Sequence, residues 1–158
     1  MPRERGEKVV ATNRRARHDF NLEKSYEAGL VLTGTEVKSL RQGRANLSDG
    51  YAFIKGGEAF LDSVHIPEYS QGHWTNHSAK RVRKLLLHRE EISKLEHAVS
   101  AGGYTLIPLK LYFSDGRAKV EIAIAKGKRE FEKRQTIRER EDKREAERAM
   151  RSKNRLGD

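Results

Sequence analysis

The sequence has no cysteine, only one tryptophan and only three prolines among its 158 residues. The absence of cysteine excludes disulfides, thiolate chemistry and Cys-ligated zinc. No apolar run approaches the roughly 20 residues that a membrane-spanning helix needs. The charged N-terminus, Met1 to Lys8, leads into no apolar segment of the kind found in secretory signals. Together these absences predict a cytoplasmic protein that makes no contact with a membrane.

Recognisable catalytic motifs are missing as well. The sequence has no Gly-rich phosphate loop, no nucleophile elbow and no paired-carboxylate motif. Among the six histidines, only His73 and His77 have the i, i+4 spacing of metal ligands, and no third ligand stands in register with them. We therefore expect no metal, no cofactor and no enzymatic activity. The alternative is a catalytic site formed by residues that are far apart in the sequence, which leaves no local motif.

Positive charge is what the chain has in excess, with 33 Lys and Arg against 23 Asp and Glu and a formal net charge of +10. Three clusters hold much of it: Arg14, Arg15 and Arg17; Lys38, Arg41 and Arg44; Lys80, Arg81, Arg83 and Lys84. One such cluster is more often a solvated face, but three in one small domain favour phosphate binding. Exposed aromatic rings, here Tyr69 and Trp74, can stack on unpaired bases. The partner that we expect is therefore a nucleic acid.

The composition changes at Lys126. The 33 residues from Lys126 to Asp158 carry 13 basic and 8 acidic side chains and few apolar ones. Such a segment cannot offset the entropy of ordering itself. We predict a basic arm at residues 1–6, a folded domain at 7–125 and a tail at 126–158 that is disordered when free. If the tail becomes helical in an anionic channel, it forms an arginine stripe of Arg140, Arg144, Arg148, Arg151 and Arg155; a solvated helix or plain disorder is the alternative.

Alternating apolar residues and turn signals predict about six strands and three short helices in the folded domain. The predicted strands are Lys8–Thr12, Tyr26–Thr33, Gly50–Lys55, Glu58–His65, Tyr104–Phe113 and Arg117–Ala125. The predicted helices cover Arg14–Asp19, the segment from the Thr33–Glu36 capping box to Gly43, and Glu90–Val99. Tight turns favour antiparallel pairing, and a closed barrel protects the sheet edges. The expected fold is mainly β, a small antiparallel β-barrel with short helices.

Six blocks of the chain form a pattern that extends over nearly its whole length. They are Ala16-Arg17-His18-Asp19-Phe20, Tyr26-Glu27-Ala28-Gly29-Leu30, Gly34-Thr35-Glu36-Val37-Lys38-Ser39-Leu40-Arg41, Arg83-Lys84-Leu85-Leu86-Leu87, Gly103-Tyr104-Thr105 and Ala125-Lys126-Gly127-Lys128. In this order they resemble the SmpB family (small protein B, the SsrA-binding protein). The resemblance implies an OB-like β-barrel with three helices.

The resemblance also implies a function, because members of this family bind the tRNA-like domain of transfer-messenger RNA (tmRNA, the SsrA RNA). They deliver that RNA to stalled bacterial ribosomes for trans-translation. The resemblance implies tmRNA contacts at His18, Glu27, Leu86, His88 and Lys119. We expect two further contacts, Lys38 and Arg41, from the basic cluster on the second predicted helix. The Glu27 carboxylate can accept hydrogen bonds from base N–H groups or orient an arginine. Core packing is the alternative for Leu86, and His88 stands where relatives commonly have Asn.

In the family, the tail enters the empty mRNA channel of the small ribosomal subunit, at the decoding site. The corresponding residues here are Lys126, Gly127, Lys128, Arg129, Phe131, Glu132, Lys133, Arg134 and Met150. Phe131 replaces a residue that is often His, so it keeps the ability to stack but not to hydrogen-bond. Glu132 replaces Asp and keeps its charge.

The sequence thus predicts a monomeric, non-catalytic RNA-binding adaptor whose partners are tmRNA and the ribosome. A generic OB-fold ribosome-associated factor without a dedicated RNA is the first alternative. An RNA-processing enzyme that uses the basic face to hold its substrate is the second.

Overall fold

A ring of antiparallel strands is the main feature of the chain, for which the computed structural model describes residues 6–70, 76–128 and 130–156. The strands are β1 (Glu7–Thr12), β2 (Phe20–Leu30), β3 (Tyr51–Lys55), β4 (Glu58–Asp62), β5 (Arg83–Leu86), β6 (Tyr104–Ser114) and β7 (Arg117–Gly127). The helices are α1 (Ala16–Asp19), α2 (Gly34–Arg41), α3 (Arg89–Ser100) and α4 (Glu130–Leu156).

The strands close into a barrel, as predicted. Their order is β1-β6-β3-β4-β5-β2-β7, and the additional pairing of β6 with β7 completes a ring. All pairings are antiparallel. The long strand β6 pairs with β1 along its C-terminal half and with β3 through a single residue pair, Ala52 and Leu106. The barrel is therefore closed, but with a minimal seam between β3 and β6.

Alternation along the strands divides the barrel into an inner and an outer face. Leu111 and Phe113 of β6, and Val120 and Ile122 of β7, are buried in the main core. The intervening residues of the same strands face outward, because successive side chains of a strand point to opposite sides. The outer face of β1, β6, β7, β2 and β5 is thus available to a partner.

Strand β5 is the element that the sequence analysis missed. The sequence predicted only a basic cluster between Lys80 and Lys84, because an arginine at an inward-facing position interrupts the alternation that marks a strand. Arg83 is fully buried, and its Nη1 donates to the carbonyl oxygen of Val64 at 2.8 Å. Strand β2 begins at Phe20, earlier than predicted, because its first residues are mostly polar and exposed, and β7 ends two residues later than predicted.

The capping box predicted for α2 is confirmed. The Thr33 hydroxyl accepts from the Glu36 amide, and the Thr33 amide donates to Glu36 Oε1 at 2.9 Å. Glu36 also accepts from Arg81 Nη2 at 2.5 Å and from Arg83 Nε, and it is fully buried. The cluster of Glu36, Arg81 and Arg83 ties α2 to β5 and to the residues just before that strand.

Contacts divide the chain into two units, Met1–Gly127 and Lys128–Asp158. The second unit contains α4, in which every side chain that the structure describes is exposed. By contrast, α3 packs onto the barrel, with Leu95 fully buried. None of the helices in the described ranges combines the length and the apolar character required to cross a membrane.

Candidate nucleic-acid interface

One row of side chains crosses the outer face of five strands. Register pairs Val9 with Tyr112, Tyr112 with Lys119, Lys119 with Gly29 and Gly29 with Leu86. Cross-strand partners share a face of the sheet, so these residues form a continuous line. An adjacent row contains Lys110, Glu121 and Glu27, which are paired in the same way. Side chains of β6 and β7 therefore flank Glu27 of β2.

A cavity of about 500 Å³ opens beside this row. Its polar and charged lining consists of Glu27, Glu58, Lys84, His88, Glu91 and Lys119. Leu85, Leu86, Leu87 and Ile92 provide the apolar part. Four residues that were predicted as tmRNA contacts from distant parts of the sequence therefore lie around one cavity: Glu27, Leu86, His88 and Lys119.

Glu27 is held at the edge of this cavity by two neighbours. The Tyr112 hydroxyl donates to Glu27 Oε2 at 2.5 Å, and Lys119 Nζ lies 3.9 Å from Oε1. Burial, followed by the hydrogen bond to Glu27 and the charge of that carboxylate, raises the pKa of Tyr112 above its ordinary value of 10.0. The phenol is therefore a neutral donor at physiological pH. The Glu27 side chain remains 54% exposed, so it keeps acceptor capacity for a ligand.

Leu86 is exposed, which excludes core packing as its role. It is 56% exposed, whereas its neighbour Leu85 is buried on the inner face. Gly29 makes room for it, because a Cβ at Gly29 would lie 3.2 Å from the Leu86 Cβ. Leu86 also lines a second cavity of about 310 Å³ with Val37 and Phe113. It thus forms an apolar ridge between two cavities, a surface on which a base can pack.

His88 lies where the chain enters α3. It is the N-cap residue, and its amide donates to Glu91 Oε1 at 3.0 Å, so both His88 and Glu91 are fixed at the helix start. The imidazole can donate or accept a hydrogen bond, or stack on a base. Its position agrees with the predicted contact, which nonetheless remains a prediction.

The remaining predicted barrel contacts lie outside this cavity. Lys38 and Arg41 are on α2, where Lys38 Nζ is 5.5 Å from the Tyr69 ring and the Arg41 guanidinium is 4.8 Å from the Phe113 ring. Because Phe113 and Val37 line the second cavity, α2 extends the candidate surface on that side. His18 is on α1, before the start of β2, and lines neither of these two cavities.

The third basic cluster was interpreted wrongly. Arg83 is buried against Glu36, and Arg81, whose side chain is about one-third exposed, forms an ion pair with the same carboxylate. Lys84 faces outward and lies 3.2 Å from Glu58 at the large cavity. Of this cluster's four members, two thus stabilise the fold, and Lys84 belongs to the candidate site.

The structure describes only part of the loop that holds the predicted tryptophan and histidine candidates. Trp74 and His73 lie outside the described residues. His77 is nearly buried, with Nδ1 2.9 Å from the Thr35 hydroxyl and Nε2 2.8 Å from the carbonyl oxygen of Ile66. Both of its ring nitrogens are therefore engaged in joining α2 to the loop after β4.

The predicted ribosome contacts are distributed over the end of β7 and α4. Lys126 and Gly127 belong to β7, and Lys126 Nζ lies 5.9 Å from the Tyr104 ring. Arg129 lies outside the described residues, and Phe131, Glu132 and Lys133 are described only as helical backbone of α4. Arg134 and Met150 are exposed on the same helix, and Lys128 precedes it.

Tyr112 is the site residue that the sequence analysis missed. The sequence placed Tyr112 in a predicted strand, but alternation indicates only which face of the sheet a side chain lies on, not which residues it contacts. Its hydroxyl reaches Glu27 across the sheet, although the two residues are 85 positions apart in the sequence. Only the register of β6, β7 and β2 reveals that proximity, and a single sequence does not specify register between distant strands.

Comparisons with known proteins agree on one family. The family model described as "SmpB protein" matches residues 10–152. The SsrA-binding protein of Clavibacter michiganensis is 72% identical over 158 residues, with full coverage of both chains. The SsrA-binding protein of Leifsonia xyli is 68% identical, again with full coverage of this chain. A solved structure described as "tmRNA-SmpB: a journey to the center of the bacterial ribosome" contains a chain that is 45% identical, with a TM-score of 0.65. That match covers 76% of this chain and 85% of the other.

Proposed function

The chain belongs to the SmpB protein family, and we propose from this premise that it is a tmRNA-binding adaptor of trans-translation. In this proposal the barrel binds the tRNA-like domain of tmRNA and brings that RNA to stalled ribosomes. The C-terminal segment occupies the empty mRNA channel at the decoding site. Because ribosomes are its site of action, the protein works in the cytoplasm, as an RNA-binding factor and not as an enzyme.

The observation that carries the proposal is the cavity shared by Glu27, Leu86, His88 and Lys119. Lysine and histidine side chains can contact phosphates, the exposed leucine offers a surface to a base, and a carboxylate accepts from base amino groups. A surface for phosphate alone would need only cations. The combination of an acceptor, an apolar ridge and cations suits an RNA segment with unpaired bases, such as a loop of a tRNA-like fold.

The tail has a different role in this proposal. The side chains of α4 that the structure describes are all exposed and carry both signs of charge. Arg140, Arg144, Arg148 and Arg151 repeat at intervals of three or four residues and therefore share one face of a helix. Such a face suits the phosphates of a ribosomal channel.

Competition binding tests the proposal directly. The purified full chain should retain labelled tmRNA in the presence of a large excess of bulk tRNA, at a physiological salt concentration. Equal displacement by both RNAs would instead support a generic ribosome-associated factor. Intact tmRNA after long incubation with divalent metal is also expected, and cleaved or modified RNA would instead support the processing enzyme.

A truncation separates the two contacts. Because β7 runs to Gly127, a stop codon after this residue leaves the barrel strands complete. This variant should bind tmRNA as the full chain does, but it should not support tagging on stalled ribosomes in a reconstituted translation assay. Loss of tmRNA binding by a folded truncated protein would contradict the division of roles.

A further inference from the structure

We propose that Tyr112 is a positioning residue that holds the Glu27 carboxylate as an acceptor for RNA. The proposal rests on the proposed function and specifies how one site residue obtains its selectivity. Neither the sequence blocks shared with the family nor the charge clusters pointed to Tyr112. It is an outward-facing residue that is nevertheless only 4% exposed.

The ring of Tyr112 is fixed on all sides. Its strand, β6, pairs with β1 on one edge and with β7 on the other, through Val9 and Lys119 at this position. Lys110 Nζ lies 4.6 Å from the ring centroid and 2.6 Å from a Glu7 carboxylate oxygen. A tyrosine held between two paired strands and covered by a cation has little freedom to turn away from Glu27.

The hydrogen bond gives Glu27 a defined orientation. The phenol donates its one proton to Oε2, and Lys119 lies on the side of Oε1. An exposed glutamate without such an anchor samples several rotamers, and binding would have to immobilise it. Because Tyr112 has already restricted the side chain, the RNA meets a preorganised acceptor, which lowers the entropic cost of association.

The orientation also determines what the carboxylate can recognise. An ionised carboxylate only accepts hydrogen bonds, and the phenol that contacts it is buried and uses its proton on Glu27. A base that presents N–H groups to this carboxylate is therefore bound, whereas one that presents carbonyl oxygens to it is repelled. Tyr112 thus contributes to selectivity through Glu27 without touching the RNA.

The test compares two tyrosines that have the same chemistry. Tyr112→Phe removes only the hydroxyl, and we expect tmRNA binding to weaken about 5- to 20-fold, less than on loss of the carboxylate itself, because Glu27 can still accept from the RNA once it is immobilised. Tyr51 on β3 also donates to a carboxylate, Asp62 Oδ2, at 3.0 Å, but it lines neither cavity of the candidate site. Tyr51→Phe should leave binding unchanged.

A double-mutant cycle distinguishes positioning from a general structural role. Adding Tyr112→Phe to Glu27→Ala should change binding by less than about twofold, because the tyrosine then has nothing to orient. If Tyr112→Phe weakens binding equally in both backgrounds, it acts through the fold and the proposal is wrong. Wild-type binding by Tyr112→Phe would also contradict it.

A second variant does not depend on the folding of Tyr112→Phe. Glu27→Asp keeps the charge at an exposed position but shortens the side chain by one methylene, so its carboxylate no longer reaches the phenol. Binding close to that of Glu27→Ala is expected, and binding close to that of wild type would contradict the proposal. If the wild-type chain itself does not prefer tmRNA to tRNA, the proposed function fails and not the positioning role.

Discussion

Two glutamates, one inside the barrel and one on its surface, show how this basic protein uses acidic groups. Glu36 is fully buried and receives hydrogen bonds from the Thr33 amide, Arg81 and Arg83. Glu27 is largely exposed and receives one hydrogen bond from Tyr112, with Lys119 nearby. Both carboxylates are held in position, but they differ in how much of their acceptor capacity remains.

That difference separates a structural role from a binding role. At Glu36 the neighbouring amide and guanidinium groups use both oxygens, so the carboxylate has no access to a ligand and serves the fold. At Glu27 one oxygen is anchored and the rest of the carboxylate faces a cavity. The specific block from Gly34 to Arg41 therefore has Glu36 as part of its structural core, and the functional acceptor lies in another block.

The largest expected effect is a loss of stability on removal of Glu36. Glu36→Ala leaves Arg83 buried without its partner, and breaking a buried ion pair costs about 3–5 kcal/mol. Urea unfolding followed by circular dichroism measures it, with Glu27→Ala as the matched control. If both variants lost the same free energy of unfolding, the distinction between the two glutamates would not hold.

The second effect is the loss of RNA binding on removal of Glu27. Glu27→Ala should weaken tmRNA binding about 10- to 100-fold, the value of a hydrogen bond to a charged group, although the change makes the protein more positive. Its free energy of unfolding should fall by about 1–2 kcal/mol, because the Tyr112 hydroxyl loses its acceptor, which is less than the loss expected for Glu36→Ala. Filter binding measures the affinity, and Glu96→Ala on α3 removes the same charge outside the two site cavities. Unchanged or tighter binding would refute the assigned contact.

A smaller effect is expected at Gly29, which lies between Lys119 and Leu86 in the row across the outer face. A Cβ there would crowd the Leu86 Cβ at 3.2 Å and shift the apolar ridge. Gly29→Ala should therefore weaken tmRNA binding about threefold, within the range expected for mild overpacking. Gly34→Ala is the control, since a Cβ at that position meets no atom within 4 Å. Equal affinities for the two variants would show that the ridge does not contact RNA.

The smallest expected effect is a change in the stability contributed by Glu36 at acidic pH. Burial alone would raise the pKa of Glu36, but hydrogen bonds from Arg81, Thr33 and Arg83 outweigh it, and the pKa lies below its usual 4.5. A lowered pKa in the folded state gives stability that is complete above the unfolded value and is lost as the pH falls through the folded value. The stability gap between wild type and Glu36→Gln should thus be constant near neutral pH and shrink below about pH 4.5. A gap that stays constant down to about pH 3 in urea titrations would contradict this.

Much of the barrel could be predicted from the sequence, because inner residues such as Val120, Ile122 and Ile124 alternate with outer ones. β5 could not, since its first inward residue is Arg83, and an arginine is acceptable inside only when a carboxylate meets it. That carboxylate, Glu36, is 47 positions earlier in the chain. Local patterns carry no information on such a pairing.

For the candidate site, the sequence predicted which residues take part but not how all of them are arranged. The family resemblance supplied Glu27, Leu86, His88 and Lys119, and the structure places them around one cavity. Periodicity alone left the orientation of Leu86 open, and the pairing of β5 with β2 turns that side chain outward. The position of His18 apart from the cavity could not be foreseen from a shared motif, because a motif names residues without giving the distances between them.

The seam between β3 and β6 has a consequence for motion in the barrel. One residue pair, Ala52 with Leu106, joins these strands, whereas β2, β7 and β6 are paired along most of their lengths. Local opening costs least where the fewest backbone hydrogen bonds must break. The hairpin of β3 and β4 can therefore separate from β6 while β2, β7 and the rest of β6 stay paired. Opening at this seam therefore leaves intact the strand pairings that align Glu27, Lys119 and Tyr112.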